Sequence, residues 1–165
     1  MRCRFASYGL QSKGLDPPCP GSAVGVSSSS SATLLYGVRT AALLVGVNDF
    51  RQVGIDVEIA TDDGSAGYRG SVTELLARRL KQGERPARIV GCGPSPMLAA
   101  LARLVEPFEI PCEVSLENHM ACGFGACFSC VAPIRQPDGT IDLRRVCVEG
   151  PVFAASTVEW SASAH

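Results

Sequence analysis

The chain has 165 residues, 46% of them hydrophobic, enough for one ordinary domain or two small ones around a real core. Fifteen Lys and Arg stand against sixteen Asp and Glu, leaving a formal charge of -1 with no long run of one sign, so no nucleic-acid partner is expected. The longest apolar runs, such as AALLVGV at 41–47, are far short of a bilayer span, and the first residues lack a secretory signal pattern; no membrane association and a cytoplasmic location are expected.

Residues 1–32 include DPPCPGSAVGVSSSSS, rich in Pro, Gly and Ser without strand or helix periodicity, and are expected to form a low-complexity arm. ATLLYGV (32–38) reads as a buried strand. TAALLVGVNDFRQVG (40–54) reads as a helix with Leu43, Leu44, Val47 and Phe50 on one side and Gly54 as its stop. DVEIAT (56–61) is a second strand, followed by the turn-rich loop DDGSAGYRG. Ser71 and Glu74 form a capping-box signature for a helix over 71–82, with Val72, Leu75, Leu76 and Leu80 as its apolar stripe. RIVGC (88–92) is a third strand, and PSPMLAALARLVEPF (94–108) a third helix opened by prolines.

Alternation of strands and helices predicts right-handed crossovers on a parallel sheet, so 33–110 is expected to be a partial α/β domain of nucleotide-binding type. From Ile110 the pattern changes to short strands, CEVSLE (112–117), CVAPIR (130–135) and DLRRVCV (142–148), the last two joined by the turn QPDGT; a small β-rich domain is expected over 111–165.

Eight cysteines in a reducing compartment are not a disulfide framework. Four of them, Cys122, Cys127, Cys130 and Cys147, follow the spacing C-x4-C-x2-C with the last after sixteen residues, which is the arrangement of plant-type [2Fe-2S] centres. Gly123 and Gly125 allow a loop to turn sharply and aim backbone N–H groups at sulfur, with Ala126 and Ser129 keeping the walls close. Met120, Phe124 and Phe128 are expected to exclude water. A four-cysteine zinc site is the alternative, although only Cys127 and Cys130 make a tight knuckle. A Rieske centre needs two histidines, and the chain has only His119, read as a solvated loop residue, and His165.

VSLENHMACGFGACFSCV followed by RRVCVEGPVF closely resembles the C-terminal [2Fe-2S] region of class B dihydroorotate dehydrogenase electron-transfer subunits, in the ferredoxin-NAD(P)+ reductase superfamily. LLYGVRTAALL, VEIATDDGSAGYRGSVTELL and VGCGPSPML extend the likeness over roughly 33–160. The resemblance implies an electron relay in which a flavin accepts hydride from NADH and a cluster passes single electrons to the FMN of a separate catalytic subunit that oxidises dihydroorotate. It implies Cys122, Cys127, Cys130 and Cys147 as cluster ligands, and Gly91, Cys92, Gly93 and Pro94 beside a nicotinamide.

Read without that likeness, GCGP (91–94) is a strand-to-helix turn, and TDDGS (61–65) is either a dinucleotide-side loop or a solvated turn. Cys112 reads as a small buried residue, and Asp62 and Asp63 as turn formers.

Family members also carry a flavin-binding β-barrel and a glycine-rich first strand-turn-helix ahead of the position of Thr33, and RFASYG (4–9) does not fit the flavin motif. The expectation is therefore a truncated product, a fragment or one half of a split protein, which does not hold FAD in the family manner, is not expected to bind NADH by itself and leaves a sheet edge exposed. Two alternatives stand beside the relay: an interaction module stabilised by zinc, and an electron-transfer subunit of another NAD(P)H-linked reductase.

Overall fold

The computed structural model describes residues 32–160. The chain divides into two units, Met1–Ala32 and Thr33–His165, and the arm expected over 1–32 lies almost wholly outside the described residues.

Strand β1 (Thr33–Val38) pairs in parallel with β2 (Asp56–Thr61), in register from Thr33 opposite Asp56 to Val38 opposite Thr61. The two-residue strand β3 (Tyr68–Arg69) adds in parallel to the end of β2. The single helix expected over 40–54 is instead a 3-10 turn at Ala41–Leu43 and a short helix α1 (Val47–Gln52). Gly46 divides them: its φ of 75° is left-handed, a conformation that glycine adopts freely and that no helix interior permits. The expected apolar stripe breaks with it, and Leu43 is exposed.

Helix α2 (Val72–Lys81) begins at the expected capping box: Ser71 Oγ accepts from the Glu74 N–H at 3.2 Å, and Glu74 Oε2 accepts from the Ser71 N–H at 2.8 Å. It lies so close to β1 that a Cβ on Gly37 would fall 2.8 Å from Val72 Cβ.

Strand β4 (Ile89–Cys92) leads through Pro94 into helix α3 (Ser95–Val105), whose last residue is followed by a 3-10 turn at Glu106–Phe108. Strand β5 (Cys112–Ser115) pairs in parallel with β4, Ile89 facing Cys112, and β8 (Val152–Ala154) pairs antiparallel with β5. Between them β6 (Val131–Arg135) and β7 (Ile141–Arg145) form an antiparallel hairpin, closed as expected at 136–140: Gln136 N–H donates to Thr140 O, and Asp138 Oδ1 accepts from the Thr140 N–H and hydroxyl. A short helix α4 (Val146–Glu149), where strand was expected, follows β7 directly.

The parallel pairs β1–β2 and β4–β5 with flanking helices bear out the mixed α/β layout, although among the described residues β1 and β4 belong to different sheets. One buried cluster crosses residue 110: Leu98, Leu101 and Val105 of α3 pack with Val114, Cys130, Ala132, Ile134, Val146 and Val158. Trp160 packs against the same cluster and donates its indole N–H to Ala155 O at 3.1 Å. No helix among the described residues is long and apolar enough to cross a membrane.

Candidate metal centre

The loop between β5 and β6 is pinned at its base. Asn118 Nδ2 donates to Val131 O at 2.7 Å, and Ser129 Oγ to His119 O at 3.3 Å, so the chain leaves and returns at one place. Within the loop Gly123 (φ 72°), Gly125 (φ 90°) and Phe128 (φ 53°) all take left-handed backbone. Gly125 is needed twice over, because a Cβ there would also lie 2.6 Å from Val148 Cγ2.

This curl turns main-chain donors onto sulfur. The Cys122 thiol is pulled down to about 6, first by the Phe124 N–H, then by the N–H and thiol of Cys127 and by the Ala126 N–H. Ser129 N–H donates to Cys127 Sγ at 3.4 Å. On the other side Cys130, 3% exposed at the foot of β6, accepts the Val146 N–H on its carbonyl at 2.9 Å and the Cys147 N–H on its sulfur at 3.4 Å. That N–H and the Cys147 thiol hold the Cys130 pKa below the ordinary thiol value, while Cys147 is pushed up, chiefly by its partner Cys130. The Cys122 and Cys127 thiols thus interact within the loop, and Cys130 and Cys147 interact across the hairpin. Among the described residues no three His, Cys, Asp or Glu side chains converge on a single point.

The aromatic shielding expected of the loop is corrected by the structure. Phe124 is 74% exposed, Phe128 60% and Met120 47%. His119 is exposed, as expected.

At the end of β4 the roles divide. Gly91 is buried beneath α3, where a Cβ would meet Leu101 Cδ2 at 2.5 Å, so this glycine serves helix packing. Cys92 is exposed, with its sulfur 4.0 Å from Glu117 Oε1, and Gly93 and Pro94 lead into α3. The loop after β2 is closed on itself: the buried Thr61 hydroxyl donates to Ala66 O, and Asp63 Oδ1 accepts from the Ser65 N–H and hydroxyl, which lower its pKa. Cys112, half-buried on β5, is pushed up to about 11 by desolvation.

Sequence reasoning passed over Asn118, Arg145 and Glu149. Glu149 accepts from the Arg145 N–H at 2.8 Å, Arg145 Nε at 3.1 Å and Arg144 Nη1 at 2.9 Å, contacts that hold its carboxyl at about 2. The signal was present as an acid four residues beyond an arginine, with the last cysteine between them.

A parallel-stranded α/β layer with flanking helices has the layout of the ferredoxin-reductase fold. Consistent with this, the solved NADH-dependent reduced ferredoxin-NADP oxidoreductase superposes with a TM-score of 0.67 at 30% identity, over 80% of this chain and 45% of that one. Residues 117–159 match the family model described as the iron-sulfur cluster binding domain of dihydroorotate dehydrogenase B. Similar curated proteins are electron transfer subunits of dihydroorotate dehydrogenase B (NAD(+)). That of Desulforamulus reducens is 34% identical over 95% of this chain and 66% of its own length. That of Caldanaerobacter subterraneus subsp. tengcongensis is 38% identical over 68% of this chain and 43% of its own. A probable one from Methanocaldococcus jannaschii is 36% identical over 73% and 44%. The chain belongs to the family of dihydroorotate dehydrogenase B electron transfer subunits and spans from two fifths to just under two thirds of the length of these relatives.

Proposed function

We propose that this chain is the iron-sulfur electron-transfer part of a dihydroorotate dehydrogenase, with Cys122, Cys127, Cys130 and Cys147 as ligands of a [2Fe-2S] cluster. The observation that carries the reading is geometric: the β6–β7 hairpin sets the Cys147 N–H 3.4 Å from Cys130 Sγ, while Cys122 and Cys127 share the loop curled at Gly123 and Gly125. Two irons joined by two sulfides each need two protein thiolates to complete a tetrahedron, so a binuclear centre calls for two pairs, whereas one zinc calls for four thiols around one point. The chemistry of the donors agrees. Main-chain N–H groups aimed at Cys122 and Cys130 stabilise thiolate, the form that binds metal.

A bound cluster supplies a one-electron centre. The chain's own contribution is to hold it at the surface, where exposed Met120, Phe124, Phe128 and Val148 surround the thiols and suit an apolar partner face. In this reading the partner is the FMN-containing catalytic subunit that oxidises dihydroorotate in pyrimidine synthesis, met in the cytoplasm. NADH is the donor, with the exposed end of β4 at Cys92, Gly93 and Pro94 on the nicotinamide side and Gly91 supporting it from beneath α3.

The test is the absorption and low-temperature EPR spectrum of anaerobically purified protein, as isolated and reduced with dithionite, with iron and sulfide assays. A brown protein with iron and sulfide in equal amounts and a rhombic signal on reduction is expected. A colourless protein with one zinc overturns the reading.

A further inference from the structure

Arg145 immediately precedes the turn that bears Cys147, and its side chain reaches back across the loop of the other three cysteines. Nη1 donates to Gly125 O at 3.2 Å, and the guanidinium carbon stands 5.2 Å from the centre of the Phe128 ring. Its inner end is fixed, because Glu149 Oε2 accepts from both the Arg145 N–H and Nε. One side chain thus spans the two segments that carry the four cysteines.

The planar fork of arginine suits such a bridge, since it donates at two edges and stacks on an aromatic face at once, which an ammonium cannot do. The charge is also oriented. Glu149 meets the Nε side, so the Nη1 end is turned toward the loop.

We propose that Arg145 is a positioning residue for the cluster, clasping the Cys122–Cys130 loop onto the Cys147 turn and fixing a positive charge on the loop that carries three of the four cysteines. The proposal deepens the reading of the four cysteines given above and depends on it. An electron entering four thiolates, two sulfides and two irons adds one negative charge, so a cation nearby favours the reduced form and raises the potential. A clasped loop also releases its metal more slowly.

The experiment compares wild type, R145Q, R145K and F128L of the full chain, reconstituted with iron and sulfide. The readouts are iron and sulfide content, midpoint potential by EPR-monitored titration, and the rate of iron release to a chelator. R145Q is expected to lower the potential and to release iron several-fold faster. R145K restores the potential while release stays fast, and F128L, altered at an exposed side chain, speeds release with little change in potential. Wild-type potential and release in R145Q overturn the proposal. Should R145Q fail to fold, R145K and F128L decide: release as slow as wild type in both overturns the clasp. A wild-type protein that takes up no iron and sulfide overturns the parent reading instead, and is seen before any variant is compared.

Discussion

The N–H of Cys147 points at the sulfur of Cys130 across 3.4 Å, although sixteen residues separate the two in sequence. The hairpin of β6 and β7 brings them together, since Val131, next to Cys130, and Arg145, two residues before Cys147, lie opposite each other in its ladder, and the Val146 N–H closes on Cys130 O at 2.9 Å. One half of the socket is thereby built by ordinary strand pairing. The other half depends on left-handed backbone at Gly123, Gly125 and Phe128.

Gly125→Ala is expected to damage the loop most for the smallest change in atoms. The new methyl group meets Val148 Cγ2 at 2.6 Å, and a residue with a Cβ at φ 90° adds strain on the order of 1–3 kcal/mol. Iron content after reconstitution should fall well below wild type while far-UV circular dichroism is kept. G125A/V148A should recover part of the loss, because it removes the clash and leaves the strain.

Leu98→Ala tests how far the core unites the chain. Leu98 of α3 is fully buried in the cluster that also holds Cys130 and Val146, and truncation of such a leucine costs roughly 2–5 kcal/mol. Urea titration followed by visible absorbance and by circular dichroism should show both signals shifting together to lower denaturant. A shift in circular dichroism alone would mean that the two ends of the chain melt separately.

Much of the layout was legible in the residues because the signals were local. The Ser71–Glu74 pair announces the start of α2, and the strand expected at 56–61 is observed at Asp56–Thr61. Where the outcome depended on distant partners, reading failed. Strand β8 has only three residues and exists because it pairs with β5, about forty residues earlier, and the RRVCV segment expected as one strand turns into α4 after Arg145. The exposure of Phe124 and Phe128 was equally hidden, since an aromatic in a cysteine-rich loop looks the same whether it faces a core or solvent. Arg145 was missed because its contacts at Gly125 and Phe128 are set by the folding of the loop, not by spacing.

Ser71→Ala should lower stability by about 1 kcal/mol through loss of the helix cap, with no effect on metal content. The measurement is the urea midpoint of the reconstituted protein. A variant with lowered iron content would show that loosening of α2 is transmitted to the thiol site through α3 and the cluster that Leu76 touches.

Cys112 gives a pH dependence on the alkaline side. Desolvation raises its folded pKa from 9.0 to about 11, so between those values the unfolded thiol loses its proton while the folded one keeps it. The stabilisation is therefore complete below pH 9 and falls as pH rises toward 11. Cys112→Ala should flatten that decline in thermal melts. At pH 8 an alkylating agent should modify exposed Cys92 well before Cys112 in the loaded protein.

Trp160 is the sole indole in the sequence, and it is lodged against the side-chain cluster that contains Cys130. An optical reporter is thereby already present. Iron-sulfide chromophores absorb broadly across the range in which indole emits, so filling of the socket should dim the native fluorescence of the chain, and loading or loss of iron can be followed in real time without any label.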